Sequence, residues 1–360
     1  MGVRVECREF ILAHLRLSYS TCNMRSGCYR CPMKSMDSKR LHGQFFTTGN
    51  PFVLEPFHRW MTKVALDPEE RVLEPFCGAN HLVRLMCQAG YDLQWSCHDL
   101  HPPSAQLEGV KIQRRDSFAN FPKGHRLAIT NPPYLARNSA TRRGLPFPIT
   151  EFDDVYKHAL DIALQHVAYL GAIIPESFLT AGELTSRLEC VVSLPWAMFD
   201  DTEHPVCLAL FSPQATSDFE VFCGNERLGK HSSLAGFLES LPAMDVGWKF
   251  NDPKGSIGIR AVDNQKAPSI AFVPGAEIDS EHIKPTSRAL TRVSGLPKGM
   301  VESEVIAAAN ELLAQYRSHT RDVLLTPFKG LRDDGRYRRR LDFGTSRALL
   351  SASVAKVMCR

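Results

Sequence analysis

The stretch Arg71-Val-Leu-Glu-Pro-Phe-Cys-Gly-Ala-Asn80 is a short apolar run that ends in a turn of small residues. The segment that follows, His81 to Gln88, has apolar residues at helical spacing and stops at Ala89-Gly90, a pair typical of a helix C-terminus. A strand, a small-residue turn and a helix in this order are typical of the first unit of a parallel α/β sheet. The stretch therefore predicts an α/β fold.

The same alternation continues toward the C-terminus. A helix is predicted over residues 152–170, and further strands are predicted over Leu93–Leu100, Val110–Asp116, Leu127–Thr130, Gly171–Ile174 and Val206–Phe211. Ligands of parallel α/β sheets bind at the carboxyl ends of the strands. The polar residues of these segments fall at those ends, which predicts a ligand site there.

The overall composition is that of a globular protein. The chain has 360 residues, of which 44% are hydrophobic and 23% charged, and this length suggests two domains. No apolar run is long enough to cross a membrane, and the N-terminus lacks the apolar core of a signal peptide. Eleven cysteines without a signal indicate reduced thiols. We therefore expect a soluble cytoplasmic protein without a disulfide framework.

Charge is distributed unevenly along the chain. The net charge of +4 divides into +3 for residues 1–38, −5 for 39–317 and +6 for 318–360. A basic tail is suited to a polyanion. We expect phosphate contacts from the tail, with a merely charged surface as the alternative; its candidate residues are Lys329, Arg338, Arg339 and Arg340.

Residues 1–38 hold four cysteines at positions 7, 22, 28 and 31. Thiolates are soft metal ligands, but a structural zinc site usually has two close ligand pairs. Only Cys28 and Cys31 are close in sequence. We therefore interpret this segment as a disordered N-terminal extension and assign no metal ligands, with a metal or iron–sulfur site as the alternative.

The motif Asn131-Pro-Pro-Tyr134 directly follows a predicted strand. Two consecutive prolines remove two backbone donors and fix φ near −65°, so the turn is rigid. The Asn131 side-chain oxygen and the Pro132 carbonyl can then accept both hydrogens of an amino group, and Tyr134 offers a flat face to a ring. Fixed acceptors favour the nucleophilic form of an aromatic amine as charge develops. The alternative is a proline-rich turn whose tyrosine packs in the core.

This motif resembles motif IV of the S-adenosylmethionine-dependent amino methyltransferases, above all the adenine-N6 DNA methyltransferases. Further segments follow in the order of the γ arrangement. Gly43–Thr48 resembles the "GQFFTP" segment, with Thr48 in place of proline, and Glu74–Ala79 resembles motif I, with Asn80 in place of a later glycine.

The other similar segments are Asp99 (motif II), Asp116–Phe118 (motif III), Gly171–Phe178 and Phe199 (motif VIII). The resemblance covers residues 39–212. It implies a Rossmann-like class I methyltransferase fold, in which a mostly parallel sheet has helices on both faces, followed by a smaller α+β region for target recognition over 213–360.

The resemblance also implies S-adenosylmethionine as the cofactor and assigns residues to it. Glu74 would accept from its ammonium group, Asp99 from its ribose diol and Asp116 from its adenine amine. Further contacts are implied for Phe46, Thr47, Pro75, Gly78, Phe118 and Asn131. The alternative for each acidic residue is a helix cap or a solvated strand end, and Cys77 is interpreted as a packing residue.

A target adenine in double-stranded DNA reaches such a pocket only when it is flipped out of the duplex. The implied catalytic residues are Asn131, Pro132, Pro133, Tyr134 and Phe199, with the two aromatic rings enclosing the base. Arg137, Arg142 and Arg143 suit phosphate contacts beside the flipped nucleotide, with a solvated loop as the alternative.

We therefore predict a stand-alone DNA adenine-N6 methyltransferase of prokaryotic or phage type, as found in restriction-modification. Two rivals stay open: methylation of an RNA adenine or a protein glutamine, and a catalytically inactive nucleic-acid-binding subunit. The GQFF segment and the basic tail favour DNA.

Overall fold

The computed structural model describes residues 49–104, 106–199 and 204–359. The predictions for residues 1–38, and the contacts implied for Phe46 and Thr47, lie outside these ranges. The described chain forms two compact units. The first comprises residues 49–174, 199 and 209–214, and the second comprises residues 175–198, 204–208 and 215–359. The functional boundary expected after residue 212 stays a prediction.

The large sheet has the strand order β3-β2-β1-β4-β5-β7-β6-β8-β9. Its strands are β1 (Arg71–Glu74), β2 (Gln94–Asp99), β3 (Ile112–Arg114), β4 (Leu127–Thr130), β5 (Tyr169–Pro175), β6 (Leu188–Leu194), β7 (Val206–Phe211), β8 (Glu220–Cys223) and β9 (Glu226–Lys230). The first five strands pair in parallel throughout. The order reverses between β1 and β4, which defines a topological switch point at their carboxyl ends. The predicted α/β fold class is confirmed.

The helices of the first unit are α1 (Glu55–Val64), α2 (His81–Gln88), α3 (Arg137–Arg143) and α4 (Val155–His166). Strand β4 is completely buried at Leu127, Ala128 and Ile129, as expected of a strand covered on both faces. A Cβ added to Gly171 of β5 would lie 2.9 Å from the Ile129 side chain. This close approach explains the glycine in a β-strand.

The second unit contains most of the remaining elements. Its four-stranded antiparallel sheet has the order β10-β13-β11-β12, and a two-stranded ribbon joins β14 and β15. The bounds are α5 (His231–Glu239), β10 (Lys249–Phe250), β11 (Ile257–Arg260), β12 (Ala271–Pro274), β13 (Leu290–Ser294), α6 (Glu302–Thr320), β14 (Thr326–Leu331), β15 (Tyr337–Arg340) and α7 (Phe343–Met358). Within the described ranges no helix is both long and apolar enough to span a membrane.

Candidate active site

Three polar side chains end neighbouring strands at the switch point. Glu74 ends β1, Asp99 ends β2 and Thr130 ends β4. Glu74 is only 1% exposed, and its Oε1 accepts hydrogen bonds from Thr130 Oγ1 at 2.8 Å and from the Phe76 amide at 3.2 Å. Glu74 Oε2 is buried and has no hydrogen-bond partner in the described chain. Loss of solvent raises the pKa of Glu74 well above its usual range. An unpaired buried acceptor of this kind suits a cationic ligand.

The loop between β1 and α2 is held from two directions. The Gly78 amide donates to Asp99 Oδ2 at 2.9 Å, and Ser117 Oγ donates to the Pro75 carbonyl at 2.8 Å. Gly78 has φ +49°, and a Cβ built there would meet nothing within 4 Å. The loop backbone therefore faces open space at Gly78, where a ligand can approach it closely.

Asn80, which stands where the family motif has a glycine, has a side chain without hydrogen-bond partners in the described chain. It has φ +59°, is 1% exposed, and neither its Oδ1 nor its Nδ2 makes a hydrogen bond with the described chain. It precedes α2, but its side chain does not cap that helix. Unsatisfied buried amide groups cost about 1–3 kcal/mol each, so this residue is a second candidate ligand contact, which the sequence indicated only as a departure from the motif.

Cys77 in the same loop is a packing residue, as predicted. It lies in a cluster with Val83, Cys97 and Ile112. Interaction with Cys97 and burial raise the pKa of the Cys77 thiol. The thiol stays protonated at neutral pH, which a nucleophilic cysteine would not.

The Asn131–Tyr134 motif begins directly after β4. The Tyr134 hydroxyl lies within hydrogen-bonding distance of two acceptors, Asn131 Oδ1 and the Ile173 carbonyl, the latter at 2.7 Å. Tyr134 is 7% exposed, Pro132 is buried, and Asn131 and Pro133 are half-buried. The motif is therefore fixed by its own tyrosine as well as by its prolines.

A second anchor follows the motif. Asp154, which precedes α4, accepts from the Leu135 amide at 3.0 Å and from the Tyr156 amide at 3.4 Å through the same oxygen. The Val155 amide donates to the Leu135 carbonyl at 3.2 Å. Burial raises the pKa of Asp154 to about 6. Asp154 thus ties the end of the motif to the start of a helix.

Phe199 lies next to Tyr134, in an arrangement that differs from the expected one. The ring centroids are 6.4 Å apart with an interplanar angle of 69°, and both residues are buried. The two rings meet edge to face, whereas a base enclosed by both would need two parallel faces. The expected enclosure of a base by these two rings stays a prediction.

Asp116 and Phe118 lie in a turn after β3. Asp116 is exposed, and its Oδ1 accepts from the amides of Phe118 and Ala119 at 3.0 and 3.2 Å. Phe118 packs against Phe76 and stacks on His158, with centroid distances of 5.0 and 5.5 Å. Asp116 therefore caps its own turn, and the contacts to a cofactor adenine implied for these two residues stay predictions.

The arginines after the motif lie on α3. Arg137 donates to the Thr150 and Phe152 carbonyls, each at 2.6 Å, and its guanidinium lies 4.5 Å from the centre of the Phe147 ring. It therefore orders the following loop. Arg142 and Arg143 are exposed in the last turn of α3, as phosphate contacts require.

In the basic tail, the structure corrects the prediction that Arg339 contacts phosphate. Arg339 is 4% exposed and forms an ion pair with Glu176, with Nη1–Oε2 and Nη2–Oε1 distances of 2.5 and 3.1 Å. A buried guanidinium that is ion-paired with a carboxylate cannot contact phosphate at the surface. Lys329 is exposed, whereas Arg338 and Arg340 are half-buried, and Arg338 donates to the Asp263 carbonyl at 2.7 Å.

Thr130, Ser117 and Asp154 support the site but were not predicted from the sequence. Thr130 is the polar end of an otherwise apolar strand, and this was the one usable signal. The roles of Ser117 and Asp154 depend on contacts 42 and 19 residues away along the chain. No group of three or more potential metal ligands occurs within the described ranges.

No family model and no curated protein matches the chain. Among solved structures, it is 12% identical to the EcoKI M protein of a type I restriction enzyme, over 88% of this chain and 71% of that one, with a TM-score of 0.37. It is 16% identical to the type IIG restriction endonuclease BpuSI, over 51% and 28% of the two chains, with a TM-score of 0.37.

A third structure is a putative class I S-adenosylmethionine-dependent methyltransferase from Listeria monocytogenes. The identity is 12%, over 49% of this chain and 65% of that one, with a TM-score of 0.34. The chain thus spans less than two thirds of the length of this protein and of BpuSI. Similarity this low carries no argument about activity.

Proposed function

We propose that the protein is a DNA methyltransferase that transfers a methyl group from S-adenosylmethionine to the N6 amine of a flipped adenine. The observation that carries the proposal is the Asn131-Pro-Pro-Tyr134 turn at the carboxyl end of β4. It lies beside β1, whose last residue, Glu74, is a buried acceptor with one unpaired oxygen. An amine-binding motif and a cation-binding carboxylate on adjacent strands suit methyl transfer from a sulfonium to an amine.

The β1–α2 loop fits the cofactor in its residue chemistry. When bound, S-adenosylmethionine supplies an electrophilic methyl group on its sulfonium. Glu74 Oε2 would accept from the cofactor's ammonium group, and the open backbone at Gly78 would allow close approach. Asp99 already binds the Gly78 amide and the His101 amide, one through each oxygen. Because each carboxylate oxygen can accept more than one hydrogen, Asp99 can still accept from a ribose hydroxyl.

The amine would be held by Asn131 Oδ1 and the Pro132 carbonyl. The Asn131 oxygen lies beside the Tyr134 hydroxyl, and an amide oxygen has two lone pairs, so it can accept from more than one donor. The two acceptors would draw both N–H bonds of the amine and stabilise the positive charge that develops on nitrogen. Phe199 would contact the base through its edge or face next to Tyr134.

Isotope transfer tests the proposal. The purified chain is incubated with methyl-labelled S-adenosylmethionine and, in separate reactions, double-stranded DNA, RNA or protein, and the product nucleosides are identified. We expect label in N6-methyladenine from DNA. Label confined to RNA or protein, or no cofactor binding by calorimetry, would refute the proposal; the latter result is expected of an inactive DNA-binding subunit.

Asn131→Ala and Asn138→Ala form a matched pair of variants. Asn138 is exposed on α3, so its loss should leave transfer unchanged. Removal of one fixed polar group that stabilises developing charge typically costs about 10²–10³ in rate, and we expect a loss of that size for Asn131→Ala with cofactor affinity retained. The proposal also assigns target recognition to residues 213–360 and the protein to restriction-modification in a prokaryotic or phage-infected cytoplasm.

A further inference from the structure

The second unit contains a stack of two arginines and two phenylalanines, here named the Arg–Phe stack. Phe250 of β10 and Phe343 at the start of α7 are stacked, with ring centroids 4.6 Å apart and an interplanar angle of 24°. The Arg288 guanidinium carbon lies 4.9 Å from the Phe343 centroid, and that of Arg347 lies 5.2 Å from the Phe250 centroid. Since the rings cover each other's inner faces, each guanidinium covers an outer face.

Both arginines of the stack are exposed and lack carboxylate partners in the described chain. Other arginines of this unit differ: Arg227, Arg260, Arg317, Arg321, Arg332 and Arg339 each pair with an acidic side chain. The acid next to Phe343 is Asp342, and both of its oxygens are used to cap α7, by the Thr345 amide at 2.9 Å and the Thr345 hydroxyl at 2.8 Å. Each arginine of the stack therefore carries its positive charge without an ion-pair partner in the described chain.

Stacking also orients these cations. A guanidinium above an aromatic ring is attracted by the π face of that ring. Its N–H groups lie at the edge of the guanidinium plane, so they stay exposed to solvent. Its donors then point sideways into solvent in a fork that matches the oxygens of a phosphate group. Because the rings restrict the arginine rotamers before binding, less conformational entropy is lost when a phosphate is bound.

We propose that the Arg–Phe stack contacts the phosphate backbone of double-stranded DNA, with Arg288 and Arg347 each binding one phosphate. The choice of DNA rests on the proposed function. The contact carries no base information, because a phosphate group is common to all sequences. The two arginines of the stack take the role of phosphate contact that the sequence analysis expected of Arg339.

The test is the salt dependence of DNA binding by the full chain. Fluorescence anisotropy with a labelled DNA duplex gives Kd over a series of salt concentrations for the native chain, for Arg288→Gln/Arg347→Gln, and for each single variant. The slope of log affinity against log salt falls by about 0.9 for each phosphate that the protein no longer neutralises. We expect a decrease of about 1.8 for the double variant and half of that for each single variant, on duplexes of unrelated sequence.

Arg227→Gln/Arg260→Gln is the matched control. It removes the same charge from exposed arginines of the same unit that pair with Glu220 and Glu277. We expect its slope to match the native one. A stack variant with native circular dichroism and native slope, or a control with the same decrease, would overturn the proposal, and so would a native chain that binds no duplex. Methyl transfer is measured separately: DNA binding that depends on the stack without any transfer would refute the proposed function and leave the stack intact.

Discussion

Replacing Arg339 should destabilise the second unit strongly, because its partner would be left as a buried charge. Glu176 is 2% exposed, and besides Arg339 its carboxylate is bound by the Ser193 hydroxyl. Breaking a buried ion pair from one side typically costs about 3–5 kcal/mol. Both oxygens of Glu176 contact the guanidinium, so Arg339→Met removes both hydrogen bonds, and we expect a loss of stability in that range.

Urea unfolding followed by circular dichroism measures this loss. Arg336→Met is the control, because Arg336 lies three positions earlier and is exposed; it should change the free energy of unfolding by less than about 0.5 kcal/mol. The double variant Glu176→Gln/Arg339→Met replaces the charge with an amide that can still accept from Ser193. We expect it to recover at least about 2 kcal/mol of stability relative to Arg339→Met, because no buried charge is left unpaired.

The result that would refute this reasoning is a stable Arg339→Met variant. A loss below about 1 kcal/mol at unchanged m-value would mean that the Glu176 carboxylate does not depend on Arg339 for its burial. Weaker DNA binding by such a stable variant would support the original prediction that Arg339 contacts phosphate. Weaker DNA binding that follows unfolding would not, because an unfolded unit presents no binding surface at all.

Three further predictions concern the first unit. Binding of S-adenosylmethionine should strengthen as pH rises through the raised pKa of Glu74, because only the carboxylate attracts an ammonium group; Glu74→Gln should weaken binding and abolish this pH dependence in calorimetry. Asp154 has a pKa near 6 in the folded chain against 3.8 when unfolded, so its carboxyl favours the fold below pH 3.8 and this contribution is lost as pH rises through 6. The free energy of unfolding of Asp154→Asn relative to the native chain, measured in urea, should therefore be about 1 kcal/mol higher at pH 7 than at pH 5. The same relative value at both pH values would contradict the raised pKa. Asn80→Gly should lower cofactor affinity roughly tenfold at unchanged or raised thermal stability, since glycine suits the φ of +59° and removes two unsatisfied buried atoms; lowered stability without a change in affinity would show that Asn80 is structural.

Local patterns identified the first-unit strands well. The strand Leu127–Thr130 was predicted with its observed bounds, and β1 and α2 followed from the small-residue turn between them. The helix expected over 152–170 is shorter, because Asp154 caps it at Val155 and the chain is already extended at Val167. These boundaries depend on neighbours in sequence, which is why the sequence indicates them.

Features that depend on distant neighbours were not predicted. Strand β6 was missed because a glutamate and a serine interrupt its apolar residues. Helices α1 and α7 were also missed, although Pro56 and the capping residue Asp342 mark their starts. The charge of the tail predicted a surface, whereas Arg339 was drawn into the interior by Glu176, 163 residues away along the chain. A net charge counts residues and does not show which of them are neutralised by partners.

The tethering of the β1–α2 loop links ligand binding to the edge of the sheet. Gly78 is bound by Asp99 of β2, and Pro75 by Ser117 in the turn after β3, which is the edge strand. Edge elements open more often than central ones, so the loop's shape depends on a part of the fold with low local stability. A ligand that requires this shape would therefore slow amide hydrogen exchange in β3, and mutations in that edge strand would weaken binding from a distance.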